Sequence, residues 1–166
     1  MAKRRGKGQI QLSFGIIFSI IIIIATIVVA FYVIGYFLDL SKCTKVGLFY
    51  DGLKKDVDKA WRADITQGIY KNELPSGIKK VCFGNSSQQY AKEDEEQFAY
   101  FSSRSVAGMN GLFYPPEKAC DSELAFFKVE HAVTDKFFCV PVASGTAKVK
   151  LSKGSADALV KLDRVE

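Results

Sequence analysis

Cys43, Cys82, Cys120 and Cys139 are the residues whose chemistry this sequence sets up most clearly, and that chemistry is thiol oxidation. Their gaps of 39, 38 and 19 residues contain no C-x-x-C pair, which argues against a zinc ribbon. Four thiols on what reads below as the exported side of a membrane predict two disulfides, with three pairings open. The pair nearest in sequence, Cys120–Cys139, is favoured, which leaves Cys43–Cys82. Closing a loop of about 20 residues contributes roughly 3 kcal/mol in the chain-entropy model. The alternative is four buried free thiols.

Other reactive side chains are sparse. The single histidine, His131, lies in the apparent strand Lys128-Val129-Glu130-His131. Strand neighbours point to opposite faces, so Glu130 and His131 cannot form a local acid–base pair. No nucleophile-elbow glycine pattern is present. The run Glu93-Asp94-Glu95-Glu96 has the charge for a hard cation but lacks the Gly-punctuated alternation of a calcium loop, and it reads better as a solvated face. Gly6-Lys7-Gly8 is too short for a phosphate-binding loop. The expectation is a non-enzyme with no catalytic residue, no metal and no cofactor. Asn85-Ser86-Ser87 is an N-glycosylation sequon in a polar, accessible segment, with Asn85 as the acceptor. Phe49 and Trp61 read as core residues.

These residues follow an apolar segment that governs where they reside. From Gln9 to Leu38 there is no charged side chain, and Ile10 to Leu38 is 29 residues. As a helix this is roughly 43 Å long, against about 30 Å for the hydrocarbon core of a bilayer. A cleaved secretory signal fits poorly, because its apolar region is roughly 7–15 residues and ends at a small-residue site. Here Tyr36, Phe37, Leu38 and Asp39 follow instead. Lys3, Arg4, Arg5 and Lys7 precede the span with no acid among them, which places the amino terminus in the cytoplasm and the rest outside. The expected organisation is a cytoplasmic basic tail over residues 1–8, a transmembrane helix over 9–38 and an extracytoplasmic domain over 39–166. The expected location is the cell membrane, single-pass.

Net charge adds little beyond this. Four of the 23 Lys and Arg residues belong to the tail, leaving 19 against 18 acids in the remainder. The basic excess is a topology signal, and no basic helix or aromatic-basic alternation suggests nucleic acid. Within the span, Gly15, Ser19, Thr26 and Ala30 share one helical face at steps of 4, 7 and 4. Small residues at such spacing let membrane helices approach closely, which suits packing against like subunits or a partner helix.

Beyond the span, Val46, Phe49, Leu53, Val57, Ala60 or Trp61, and Ile65 recur at steps of three and four, with charged residues between them. This is an amphipathic helix. It either restarts near Asp39–Cys43 with Ser41 as cap, or continues the span as one helix from about Gln11 to about Ile65. Leu74-Pro75-Ser76-Gly77 is a turn, and Ile78 to Phe83 reads as a strand. Asn85 to Glu96 reads as a surface loop or short helix. Further β-rich stretches are Phe98 to Ser103, Gly111 to Tyr114, Leu124 to His131, and Lys136 to Val142, the last placed near an edge by Pro141. Thr146 to Leu151 and Leu159 to Val165 alternate cleanly and read as a hairpin joined by the turn Lys153–Asp157. The predicted fold class is α+β: a long N-terminal transmembrane helix leading into an amphipathic helix packed on a small, mainly antiparallel sheet.

Lys7-Gly8-Gln9, with the apolar helix starting almost at once, resembles the class III signal peptide of archaeal type IV pilin-like proteins. The motif likeness covers about residues 3–30, and the likeness of the head is architectural. The resemblance implies cleavage between Gly8 and Gln9 by a prepilin-type peptidase, with the helix retained as the assembly segment. It implies partners among membrane lipid, like subunits and other pilin-like proteins. The family usually carries a glutamate at the fifth mature position, where this chain has Ser13. That departure suits a minor or non-polymerising pilin-like protein better than a major pilin. The other reading is a membrane-tethered binding or adhesion module that never polymerises.

Overall fold

The computed structural model describes residues 14–104, 107–121 and 124–165. Gly8, Gln9 and Ser13 lie outside the described residues. The chain divides at Leu38/Asp39 into two units, each described by itself. Its architecture is α+β, with a long N-terminal apolar helix and a small, mainly antiparallel two-sheet domain.

The helix α1 spans Phe14–Arg62, and no break interrupts residues 39–43. In the first unit, residues 15–38 are all exposed. By length and composition this is the one helix among the described residues able to cross a membrane.

In the second unit, the remainder of α1 buries Val46, Phe49, Leu53, Val57 and Ala60 at steps of three and four. The Phe49 ring stands edge-on to Tyr70 and Phe113, with centroids 5.2 and 5.6 Å away. The helix stops at Arg62, three residues before the expected end at Ile65. Lys153 explains the stop: its Nζ donates to the carbonyls of Trp61 and Ala63, at 2.6 and 2.8 Å. A cation on the last carbonyls satisfies groups that a longer helix would have paired internally.

Eight strands follow: β1 (Thr66–Glu73), β2 (Lys80–Phe83), β3 (Gly111–Tyr114), β4 (Phe126–Phe127), β5 (Ala132–Val133), β6 (Phe138–Pro141), β7 (Thr146–Lys153) and β8 (Val160–Arg164). One sheet has the order β1-β7-β8-β5 and the other β4-β3-β2-β6. Every pairing is antiparallel except β5 with β8. The β7–β8 hairpin matches the alternation of Ala147, Val149 and Leu151 with Val160 and Leu162, all buried. Sheet position explains β2, where Val81, Cys82 and Phe83 are buried in succession because both faces are covered. Pro141 ends β6, an edge strand, as expected.

Three expectations are overturned. Phe98 to Ser103 is not a strand but part of a helix, α2 (Glu95–Arg104). Glu95 and Glu96 sit in its first turn and Arg104 in its last, which suits the helix dipole, and Gln97 and Phe101 bury one face four residues apart. Of Leu124 to His131, only Phe126–Phe127 is strand. His131 lies in a turn at φ 60°, outside any strand. Strand β1 was not expected at all: Tyr70 is its one buried side chain, too few for alternation to be visible.

The disulfides also correct the favoured pairing. Cys43 is bonded to Cys120 and Cys82 to Cys139. Antiparallel pairing of β2 with β6 sets Cys82 directly opposite Cys139, with Cα atoms 3.9 Å apart. Cys120, at φ 68°, meets Cys43 on α1, with Cα atoms 4.7 Å apart. Sheet register overrides nearness in sequence. Proteolysis without reductant should therefore release peptides joined 43–120 and 82–139. Recovery of a 120–139 link would refute this arrangement.

Candidate functional site

The small-residue face of the first unit is built by hydroxyls that bond along their own helix. Ser19 Oγ donates to the Gly15 carbonyl at 2.8 Å, and Thr26 Oγ1 donates to the Ile23 carbonyl at 2.8 Å. Both hydroxyls are satisfied without water, so they can face hydrocarbon or another helix. Thr26 and Ala30 line a shallow apolar groove with Ile22, Ala25, Val29 and Val33. Gly15, Ser19, Thr26 and Ala30 are all exposed.

The acidic run Glu93–Glu96 is not the uniformly solvated face its composition suggests. Asp94 is 1% exposed. Its carboxylate accepts from the Cys139 backbone N–H at 3.2 Å, pairs with Lys80 Nζ at 3.4 Å and is held by the Arg164 guanidinium. Arg164 also grips Glu93, while Lys80 Nζ donates to the Glu93 carbonyl at 3.0 Å and to Gln97 Oε1 at 2.9 Å. The cluster ties the approach to α2 to β2, β6 and β8. The bond to Arg164 lowers the Glu93 carboxyl below its ordinary range. With all these charges committed to one another, the arrangement is structural. Among the described residues, no group of three or more His, Cys, Asp or Glu could hold a metal ion.

Glu96 accepts a 2.6 Å bond from the Tyr114 hydroxyl. That bond, aided by desolvation, pushes the Tyr114 phenol up to about 12 from an ordinary 10. A raised folded-state value means the contribution is complete below pH 10 and lost as pH rises through about 12. The thermal midpoint should therefore fall more steeply across that window in the wild type than in Tyr114→Phe. Parallel curves would remove Tyr114 as the cause.

His131 stacks on Trp61, with ring centroids 3.7 Å apart and planes 7° from parallel. Trp61 is 38% exposed, so it lies at the rim and not in the core, whereas Phe49 is fully buried. Trp61 Nε1 donates to the Ala158 carbonyl at 3.1 Å, and the His131 carbonyl accepts from the Val160 N–H at 2.8 Å. Polar tips at both rings explain the rim position. Among the described residues, no carboxylate or nucleophile is hydrogen-bonded or ion-paired to the His131 side chain. Asn85, the sequon acceptor, is exposed, and its Oδ1 accepts from the Ser87 N–H at 2.9 Å. Its Nδ2, where a glycan would be attached, has no partner among the described residues. Neither the buried Asp94 cluster nor the Trp61–His131 stack was legible beforehand, because each joins residues about 70 apart.

Comparison with protein-family models, curated proteins and solved structures finds no match.

Proposed function

We propose that this protein is a pilin-like structural or assembly subunit, held in a membrane by its N-terminal helix and presenting a disulfide-stapled head outside the cell. The observation that carries this reading is the exposed apolar stretch of α1 over residues 15–38, joined in one helix to the stripe Val46, Phe49, Leu53, Val57 and Ala60. In this reading the stripe is the spine on which the sheets pack. The small-residue face packs against like subunits or other pilin-like proteins. A prepilin-type peptidase removes residues 1–8, and the topology is single-pass with the amino terminus inside. Two disulfides support an oxidising compartment for the head. The head is read as non-enzymatic.

The intact mass of the membrane-extracted protein tests this directly. Loss of residues 1–8, leaving Gln9 first, is the expected result. An uncut amino terminus would sink the pilin-like reading and leave the second one, a tethered binding or adhesion module that does not polymerise. Ser13, in place of the family's glutamate, is the residue that keeps that second reading in view.

A further inference from the structure

The outer face of the β1-β7-β8-β5 sheet carries a charge arrangement that the assembly reading does not use. Lys71 on β1 and Lys148 on β7 are direct cross-strand partners, and both are exposed. Partners of this kind hold their Cβ atoms about 5 Å apart, and like charges so placed repel. Several other cations of the domain are compensated. Lys45 pairs with Glu73, Lys161 with Asp135, and Arg164 with Glu93 and Asp94. Lys150 faces Asp163 across the β7–β8 register. Lys71 and Lys148 have neither an ion pair nor a hydrogen bond among the described residues.

Both lysines line a cleft of about 490 Å³. Its other polar residues are Ser144, Thr146 and Arg164, and among the described residues no carboxylate lines it. The turn carrying Ser144 is closed by backbone hydrogen bonds. Ala143 and Thr146 exchange two backbone hydrogen bonds at 2.9 Å, Ser144 and Gly145 have φ of 50° and 73°, and the Gly145 carbonyl accepts from the Leu74 N–H at 2.8 Å. This is a two-residue hairpin turn of the mirror-image type. The hydroxyls of Ser144 and Thr146 have no partner among the described residues. We propose that this cleft binds a tetrahedral oxyanion, a phosphate or sulfate group, between the Lys71 and Lys148 ammonium groups, with the Ser144 and Thr146 hydroxyls as neutral donors. Lysines act as point charges toward such a group, and the carboxylates of Glu93 and Asp94 already hold the Arg164 guanidinium. The bound anion relieves the repulsion that the strand register builds in.

The test uses the full chain in phosphatidylcholine nanodiscs, titrated with inorganic phosphate while backbone amide spectra are recorded. Saturable shifts are expected at residues 71, 144, 146 and 148. Affinity should fall about tenfold in Lys148→Gln, the loss of one charge-assisted contact, and be unchanged in Lys55→Gln, an equal charge change on the exposed face of α1. Phosphate should also raise the thermal midpoint of the wild type and not that of Lys148→Gln. A second arm omits soluble phosphate and adds phosphatidic acid to the nanodiscs. Shifts at the same amides there identify the anion as a lipid headgroup, and shifts with soluble phosphate alone identify a soluble one. No localised shift in either arm, or equal weakening in Lys55→Gln, overturns the proposal. The wild-type spectra decide this even if the Lys148 variant does not fold.

Discussion

Replacing Asp94 with alanine should lower the stability of the β domain by about 3 kcal/mol, read as a drop in the urea midpoint of the detergent-solubilised protein. The carboxylate is 1% exposed and compensates two cations while accepting from the Cys139 N–H. Its removal leaves Lys80 with only neutral acceptors and Arg164 with only the exposed Glu93. Breaking a buried pair this way costs about 3–5 kcal/mol. The lower end applies because the side chains of Lys80 and Arg164 retain 31% and 33% exposure and recover some hydration. Glu93→Gln removes the other Arg164 partner, whose side chain is 61% exposed, and should leave the midpoint nearly unchanged. Equal effects of the two variants would mean that Asp94 is not the centre of the cluster.

Removal of the Cys43–Cys120 disulfide in Cys43→Ser/Cys120→Ser should cost about 4–5 kcal/mol. The bond closes a sequence separation of 77 residues, and the entropy it withholds from the unfolded chain grows with the logarithm of loop length. This bond also ties α1 to the loop after β3, where no strand ladder would hold Cys120 in its place. Cys82 and Cys139, in contrast, remain paired through the β2–β6 ladder even without their bond. Loss of either disulfide should therefore lower the midpoint, with Cys43–Cys120 removal also loosening Cys120 itself. The measurement is equilibrium unfolding of both double variants, with hydrogen exchange around residue 120. A Cys43→Ser/Cys120→Ser midpoint equal to the wild type would exclude that bond from the folded protein.

How much could be read in advance depended on how local each signal was. The β7–β8 hairpin was legible because Ala147, Val149, Leu151, Val160 and Leu162 alternate with polar residues on strands that have one buried face. Residues 98–103 were misread because Phe98, Tyr100 and Phe101 favour strands by type, while the helix is specified by Gln97 and Phe101 four apart and by acids at its start. β1 was missed for the opposite reason: Gln67, Gly68, Ile69, Lys71 and Glu73 are exposed, leaving almost no pattern.

The acidic run shows the same limit from the side of electrostatics. Nothing within Glu93–Glu96 distinguishes Asp94 from its neighbours. Its burial follows from the arrival of Arg164 and Lys80, 70 and 14 residues away. The Lys71–Lys148 pair likewise exists only through the β1–β7 register.

The apolar segment up to Leu38, the α+β class and an even set of oxidisable cysteines were determined by sequence alone. Hydropathy, local periodicity and composition are properties of neighbouring residues and survive without knowledge of the fold. Tertiary structure decided which cysteine meets which, where α1 stops, why Asp94 is buried and why two lysines stand uncompensated side by side. Each of these is set by strand register or long-range packing, which brings together residues that have no relation along the chain.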